Sequence, residues 1–207
     1  MKKIWILIIF LSFSNIFAID HAYSLKPADL FMKDSTEKVF SQLDQIQGYN
    51  RHDLLNLIQK EIMPHVDSVY MAKWVVGRQP WTGASRKEQD EFINAFMDLL
   101  INSYANTLII LKDKPLDFKI ANKKSAKSLD KAQVLCVVGQ VGQDPIHVLF
   151  QMKVIDGKWK VFDVIVEGIS LLKGLKAQFS DDIHNFGIKV VTDRIEHHQY
   201  QVKGPMK

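Results

Sequence analysis

The sequence contains a single cysteine, Cys136, among its 207 residues. An internal disulfide needs two cysteines and a cysteine-rich metal site needs more, so both are excluded. The sequence also lacks a Gly-x-Gly-x-x-Gly pattern and a glycine-rich phosphate loop. We therefore expect neither a disulfide scaffold nor a nucleotide-binding loop, and no resident cofactor.

A strong excess of one charge is missing too. Lys and Arg number 27 against 23 Asp and Glu, which gives a formal net charge of +4. Nucleic-acid binding usually needs a concentrated basic face, whereas the basic residues here are spread along the chain. The composition, 47% hydrophobic and 24% charged, is that of a globular protein, and the length fits one domain. We expect one folded domain that does not bind nucleic acid.

The amino terminus has the layout of a secretory signal peptide. A basic start at Lys2 and Lys3 precedes an apolar run over residues 4–13, and a more polar stretch then ends at Ala18. The run is shorter than the roughly 20 residues that a membrane-spanning helix needs. We predict a signal peptide over residues 1–18 and a mature domain over residues 19–207, with a retained amino-terminal anchor as the alternative.

The first half of the mature chain is predicted to be helical. Apolar residues at helical spacing indicate three helices between residues 27 and 77. Ser85 and Glu88 form an S-x-x-E capping box ahead of a run, residues 92–111, that is apolar on nearly all sides. This fourth helix is therefore expected to be buried on most of its faces.

The second half changes to the two-residue period of strands. The predicted strands cover residues 116–120, 134–141, 146–154 and 159–166. Asp156-Gly157 is a hairpin signal between the last two strands. A helix that ends at Gly187 follows, then a short helix over residues 190–195 and a polar tail from about residue 197.

These elements predict an α+β fold, a curved antiparallel sheet of about four strands wrapped by helices. On the last strand, strict alternation sends one apolar set to each face. The sets are Trp159, Val161 and Ile165 on one face, and Phe162, Val164 and Val166 on the other. A small sheet that is apolar on both sides must be covered twice or enclose something. The pattern leaves open a well-filled core or an apolar cavity inside an NTF2-like cone.

Two patterns suggest catalysis, and each has a structural alternative. Gly168-x-Ser170 lies at a strand-to-helix turn, as in a hydrolase elbow, but Leu172 replaces the required glycine. Ser170 is better explained as a helix N-cap. Asp163 and Tyr104 could form an acid/base pair in a conical cavity, or Asp163 could cap a backbone group or face Lys160.

A metal site is not expected. Asp181 and His184 lie three residues apart on a predicted helix, and His197-His198 lies in the polar tail. Each pair supplies too few ligands for a structural or catalytic metal. Cys136 lies in a β-branched run and is expected to be a small buried hydrophobe.

Three stretches, taken in order, resemble a known family. They are Ile62-Met63-Pro64-His65-Val66-Asp67 with Met71-Ala72 and Gly77; Trp81, Ala84-Ser85, Glu88-Gln89, Phe92, Phe96, Leu99-Leu100 and Tyr104; and Trp159 to Val164, Val166 to Ser170 and Gln178-Phe179. Together they resemble the MlaC/Ttg2D (toluene-tolerance) family of periplasmic phospholipid-binding proteins over residues 27–196. The family often has Tyr-Arg where this chain has Leu175-Lys176, which removes an aromatic ring there.

The resemblance implies a non-enzymatic phospholipid carrier in the periplasm. Such a carrier would exchange lipid with an inner-membrane ABC transporter complex carrying an MCE-domain ring. It would also exchange lipid with an outer-membrane lipoprotein–porin complex, and so maintain outer-membrane lipid asymmetry. The resemblance favours the apolar cavity over the filled core. The alternatives are a small-molecule enzyme, an isomerase or esterase with a hydrophobic substrate, and an adaptor with a solid core.

With a lipid expected as cargo, the apolar pattern predicts which side chains line the pocket. They are Met71, Trp74, Val75, Phe92, Phe96, Leu99, Leu100, Tyr104, Val148, Phe150, Met152, Val164 and Val166. Lys173 and Lys176 would contact the lipid phosphate or an acidic partner, or else be ordinary solvated lysines. Trp81 would lie at the pocket mouth or fill the core.

Overall fold

A computed structural model describes residues 25–46, 48, 50–121, 130–139, 142, 144–200 and 202. The predicted signal peptide lies outside these residues. The helices are α1 (Ala28–Leu43), α2 (Arg51–Leu57), α3 (Ser68–Val76), α4 (Arg78–Gly83), α5 (Arg86–Lys112) and α6 (Leu171–Glu196). The strands are β1 (Leu116–Ile120), β2 (Lys131–Val138), β3 (Ile146–Ile155), β4 (Lys158–Val166) and β5 (Ile169–Ser170).

The strands form one antiparallel sheet in the order β1-β2-β3-β4-β5. The predicted α+β class with an antiparallel sheet is thereby confirmed, and the two-residue β5 is an addition. Asp156 and Gly157 both have positive φ, 50° and 70°, as the tight turn between β3 and β4 requires. Asp67 donates its backbone N–H to the Val161 carbonyl at 2.9 Å, so the start of α3 is attached to the edge of β4.

A β-bulge on β4 corrects the predicted assignment of its side chains to faces. Val161 pairs with Met152 and Asp163 with Gln151, which leaves Phe162 as the extra residue. The bulge reverses the alternation at this point. Trp159, Val161, Val164 and Val166 therefore share one face, and strict alternation was wrong in separating them. We call this the inner face, because α1 lies on it.

The inner face continues across the sheet through cross-strand pairs. Phe150 on β3 is the register partner of Val164 on β4 and of Val134 on β2. The opposite, outer face carries Lys153 and Asp163 together with the apolar Leu149. The strongly apolar side chains thus concentrate on one face, which is the usual arrangement for an antiparallel sheet.

The helices assemble into two apolar clusters. The larger joins α3, α4, α6 and the first half of α5, and it buries Phe92, Phe96 and Phe179 completely. The smaller joins α1 and α2 to the middle of α5 through Leu43, Leu54 and Ile101. The predicted capping box at the start of α5 is present.

Three local features were not anticipated from the sequence. The first is the short helix α4, which buries Trp81 in the larger cluster and so selects the core position from the two that were expected for this residue. The second predicted helix continues beyond α2 as a π-helical turn, Ile58–Ile62, and a 3-10 turn, Met63–His65, because Pro64 cannot continue an α-helix. Beyond residue 197, the Tyr200 ring lies 4.8 Å from that of Phe179, so the segment predicted as a polar tail contains an anchored aromatic residue.

The predicted helix end at Gly187 is confirmed as a break within α6. Gly187 has φ 81° and ψ 169°, a conformation that side chains with a Cβ rarely adopt. Asp182, before the break, forms an ion pair with Arg194, after it, at 2.8 Å. This contact sets how the two halves of α6 fold back on each other.

Candidate functional site

The inner side of α5 is tightly packed in its first half and loosely packed in its second. Phe92 is completely buried and Leu100 is 8% exposed. Tyr104, Leu108 and Leu111 continue the same side at spacings of three and four, but they are only half-buried. On this side of the second half, side chains therefore keep part of their surface free, whereas Ile101 and Ala105, which pack with α1 and α2, are buried.

The sheet presents half-buried aromatic rings opposite this part of α5. Phe118 on β1 and Phe150 on β3 each contact two apolar clusters on the inner face. One of these clusters includes Leu111, at the end of α5. The other includes Phe31 and Met32 of α1. The inner face of the sheet is thus covered by α1 over one part and by the end of α5 over another part.

The backbone of α5, the longest helix described, packs mainly against other helices. Its close backbone neighbours are α3 and α6, with α1 and α2 further along. By contrast, α1 packs closely on β1 and β2. We call the region between the second half of α5, α1 and the inner face of the sheet the interlayer. Its half-buried members on the inner-face clusters are Phe31, Met32, Leu111, Phe118, Phe150, Val161 and Val164. Tyr104 and Leu108 border it from α5, where they pack against the larger and the smaller helical cluster respectively.

Three side-chain polar atoms among the described residues are buried without a hydrogen-bond partner, namely Asp29 Oδ1 on α1, His65 Nδ1 and the Tyr104 hydroxyl. Burial raises the pKa of Tyr104, which keeps the phenol a neutral donor. The edge of the His65 ring contacts Phe31 at 5.0 Å between centroids. Burial lowers the pKa of His65, which favours the neutral imidazole.

The predicted lining residues fall into two places. Met71, Trp74, Val75, Phe92, Phe96, Leu99, Leu100 and Tyr104 belong to the larger helical cluster or its border. Val148, Phe150, Met152, Val164 and Val166 lie on the inner face of the sheet. The rings of Phe92 and Phe96 stack at 5.7 Å, and Phe96 meets Phe179 edge to face at 6.4 Å. Phe150 and Val164 share an inner-face cluster, whereas Tyr104 packs against the helical cluster. Contact of any of these residues with a ligand stays a prediction.

Sequence reasoning missed several interlayer residues that simple signals could have found. Leu108 and Leu111 extend the helical row that contains Tyr104, and both belong to the apolar run, residues 92–111, that predicts the fourth helix. Phe118 alternates with polar neighbours on a predicted strand. Phe31 and Met32 could be placed there only once α1 was known to cross the inner face.

The two lysines predicted at the headgroup differ in their surroundings. Lys173 is exposed, whereas Lys176 places its Nζ 5.0 Å from the ring centroid of Trp74. A cation over an aromatic face is held by the ring quadrupole. The role of both lysines at a phosphate or a partner stays a prediction.

Asp163 holds a turn together and does not pair with Tyr104. It accepts hydrogen bonds from Ser170 Oγ at 2.7 Å, from its neighbour Val164 N at 2.9 Å and from Leu172 N at 3.2 Å. It points away from the inner face, since Val164, the next residue along β4, lies on that face. Ser170 accepts from Lys173 N at 3.2 Å and is the expected helix N-cap. The structure therefore assigns Asp163 and Ser170 positioning roles between β4 and α6.

The described residues provide no grouping of three or more His, Cys, Asp or Glu side chains that could hold a metal ion. A pocket of about 640 Å³ lies at the surface between α1 and α2, with Gln42, Asn50, Asp53 and Lys60 among its lining residues. Ile46 and Leu57 also line it, so its surface is mixed and differs from the wholly apolar lining that alkyl chains need. Within the described part of the chain, no helix is long and apolar enough to cross a membrane.

Cys136 offers a chemical reporter of the inner face. It is 3% exposed and packs with Val148 and Val166, and burial raises its pKa to about 11. Because the thiolate is the reactive form, we expect iodoacetamide at pH 8 to modify the native protein at least ten-fold more slowly than the urea-unfolded chain. Mass spectrometry of timed samples measures both rates. Equal rates would contradict the buried position, and a Cys136→Ser variant controls for labelling elsewhere.

Comparisons with known proteins agree with one another. The model of the MlaC protein family matches residues 33–197. The intermembrane phospholipid transport system binding protein MlaC of Haemophilus influenzae is 20% identical over 172 residues, which cover 81% of this chain and 79% of that protein. A phospholipid-binding protein of Ralstonia solanacearum, solved in complex with a phospholipid, has a TM-score of 0.72 at 22% identity, covering 82% of this chain and 95% of that one. This last likeness shows that the fold is shared.

Proposed function

The chain belongs to the MlaC family, and we propose that it carries phospholipid, with the acyl chains held in the interlayer. The observation that supports this location most directly is the change along α5 from complete burial at Phe92 to half-burial at Tyr104, Leu108 and Leu111. These side chains of α5 and the rings on the inner face of the sheet are apolar and only half-covered. Surfaces of this kind suit an apolar ligand.

The energetics of a diacyl lipid explain why the site must be apolar and enclosed. Its tails contain about 30 methylenes, each worth about 0.8 kcal/mol on burial, so exposing them to water would cost on the order of 24 kcal/mol. A carrier must therefore cover nearly all of the tail surface. A polar group in the interlayer would weaken binding unless it found a partner on the lipid.

The same balance constrains the headgroup and the direction of transfer. A charged headgroup remains in water at the mouth, which predicts little selectivity between headgroups. The affinity for lipid must lie near that of a bilayer, or the cargo could not be handed on. We infer that direction comes from the partners. These would be an inner-membrane ABC transporter complex with an MCE-domain ring and an outer-membrane lipoprotein–porin complex, reached through the periplasm.

Support for this role comes from the relatives. The Haemophilus protein is described as a binding protein of an intermembrane phospholipid transport system, and the Ralstonia protein was solved with a phospholipid. Neither description is that of an enzyme. In this chain, two of the three residues that suggested catalysis, Asp163 and Ser170, are hydrogen-bonded to each other and to backbone N–H groups.

Extraction of the purified protein tests the proposal. The full chain is expressed with its own amino terminus in a Gram-negative host, purified without detergent and extracted with organic solvent. Mass spectrometry is expected to find phospholipid at close to one molecule per protein, with a headgroup distribution like that of the host membrane. An unrelated exported protein purified in parallel controls for carry-over. Repeated absence of lipid would refute the proposal and favour an adaptor with a filled core.

A further inference from the structure

Tyr104 is an unusual residue for an apolar ligand site. It lies on the inner side of the second half of α5, one turn beyond Leu100 and two turns before Leu111. Its hydroxyl is buried and has no hydrogen-bond partner among the described residues. A buried hydroxyl without a partner is unfavourable, and phenylalanine would fill the same space without it. The position therefore suggests a partner that arrives with the ligand.

We propose that the Tyr104 hydroxyl donates a hydrogen bond to an ester carbonyl oxygen of the bound lipid, and so sets the depth at which its glycerol backbone lies. This inference rests on the proposed function, since it assigns a contact within the same site. It adds selection for ester-linked acyl chains to a site whose other members act through apolar burial.

The surroundings of Tyr104 favour a neutral acceptor over a phosphate oxygen. The residues that follow Tyr104 on the same side of α5, Leu108 and Leu111, are apolar. Lys112, the nearby cation on the same helix, is in an ion pair with Asp44. A phosphate drawn to Tyr104 would lose its hydration without gaining a free counter-charge from these groups, whereas an ester carbonyl loses little.

The order of the chemical groups along a phospholipid fits this assignment. The glycerol esters lie between the acyl chains and the headgroup, so a donor that binds them must lie where the apolar site ends. Tyr104 occupies such a boundary on α5, because it packs against the larger helical cluster, and two turns further on Leu111 packs against the inner face of the sheet. One phenol at this boundary could bind either of the two ester groups.

A competition between ester- and ether-linked lipids tests the proposal. The full chain, purified with its lipid, is equilibrated with vesicles containing equal amounts of diacyl phosphatidylglycerol and its dialkyl ether analogue, with matched chains. The protein is re-isolated, and mass spectrometry gives the ratio of the two bound lipids. One hydrogen bond predicts that the native protein prefers the ester by about five- to ten-fold. In Tyr104→Phe we expect the preference to fall below about two-fold, with uptake of the ether lipid maintained.

The control is Tyr70→Phe, a matched change on α3, whose ring contacts Phe162 at the bulge of β4. This variant should keep the native preference. Equal binding of both lipids by the native protein would overturn the proposal, as would an unchanged preference in Tyr104→Phe. A loss of both lipids in Tyr104→Phe would indicate phosphate as the acceptor and also overturn it. Failure of the native protein to bind either lipid would instead refute the carrier function itself.

Discussion

Glutamate in place of Phe150 is expected to reduce the phospholipid that co-purifies with the protein at least ten-fold. Phe150 lies at the centre of the inner face and touches both apolar clusters there. An ionised carboxylate at this point would have to lose its hydration beside alkyl chains, at a cost of several kcal/mol, and each 1.4 kcal/mol is a factor of about ten in binding. Extraction followed by mass spectrometry gives the lipid-to-protein ratio.

The matched control is the neighbouring residue on the same strand. Leu149 is also half-buried, but it lies on the outer face, where its register partners are Leu135 and Ile165. Leu149→Glu is therefore expected to retain close to the native lipid content. Phe150→Gln, which lacks the charge, should fall between the two, and circular dichroism confirms that each variant is folded. Equal lipid content in Phe150→Glu and Leu149→Glu would show that the tails do not lie on the inner face.

Replacing Asp163 by Ala is expected to lower the free energy of unfolding by about 3–5 kcal/mol. The change removes the acceptor for the Ser170 hydroxyl and for the backbone N–H groups of Val164 and Leu172. Each buried donor left without a partner costs about 1–3 kcal/mol, and the three losses need not add fully. Urea unfolding followed by circular dichroism measures the change.

Two further variants separate this structural role from a chemical one. Ser170→Ala removes the N-cap of α6 and should cost only about 1–2 kcal/mol, because the Leu172 N–H keeps its acceptor. Asp163→Asn keeps an acceptor oxygen and should be milder than Asp163→Ala. The folded fraction of each variant should retain its lipid. A change below about 1 kcal/mol in Asp163→Ala would show that the three hydrogen bonds do not hold the turn.

Elements whose signals lie within a few residues were predictable from the sequence. The capping box of Ser85 and Glu88 closes within one helical turn, and the Asp156-Gly157 turn needs only its own two residues. Gly187 likewise marks the break in α6 by its own backbone conformation. In each case the atoms that decide the conformation are neighbours in the chain, so the local sequence carries the information.

Features that depend on distant neighbours were not predictable in this way. The bulge at Phe162 reverses the two-residue period, and only pairing with β3 reveals which residue is extra. Trp81 is as suitable for a rim as for a core until α4 is seen to pack on α6. The sequence allows Asp163 to be a catalytic acid, and only the fold shows that Ser170 and Leu172 donate hydrogen bonds to its carboxylate.

The sequence by itself determined the family, the α+β class and which segments are apolar, because these depend on residue types in order along one chain. Only the tertiary structure decided that the inner side of α5 is filled as far as Leu100 and half-covered at Tyr104, Leu108 and Leu111. It also decided that the Tyr104 hydroxyl is buried without a partner among the described residues. Burial and hydrogen bonding are properties of pairs of groups that the fold brings together, and the spacing along a single helix does not specify what lies across from it.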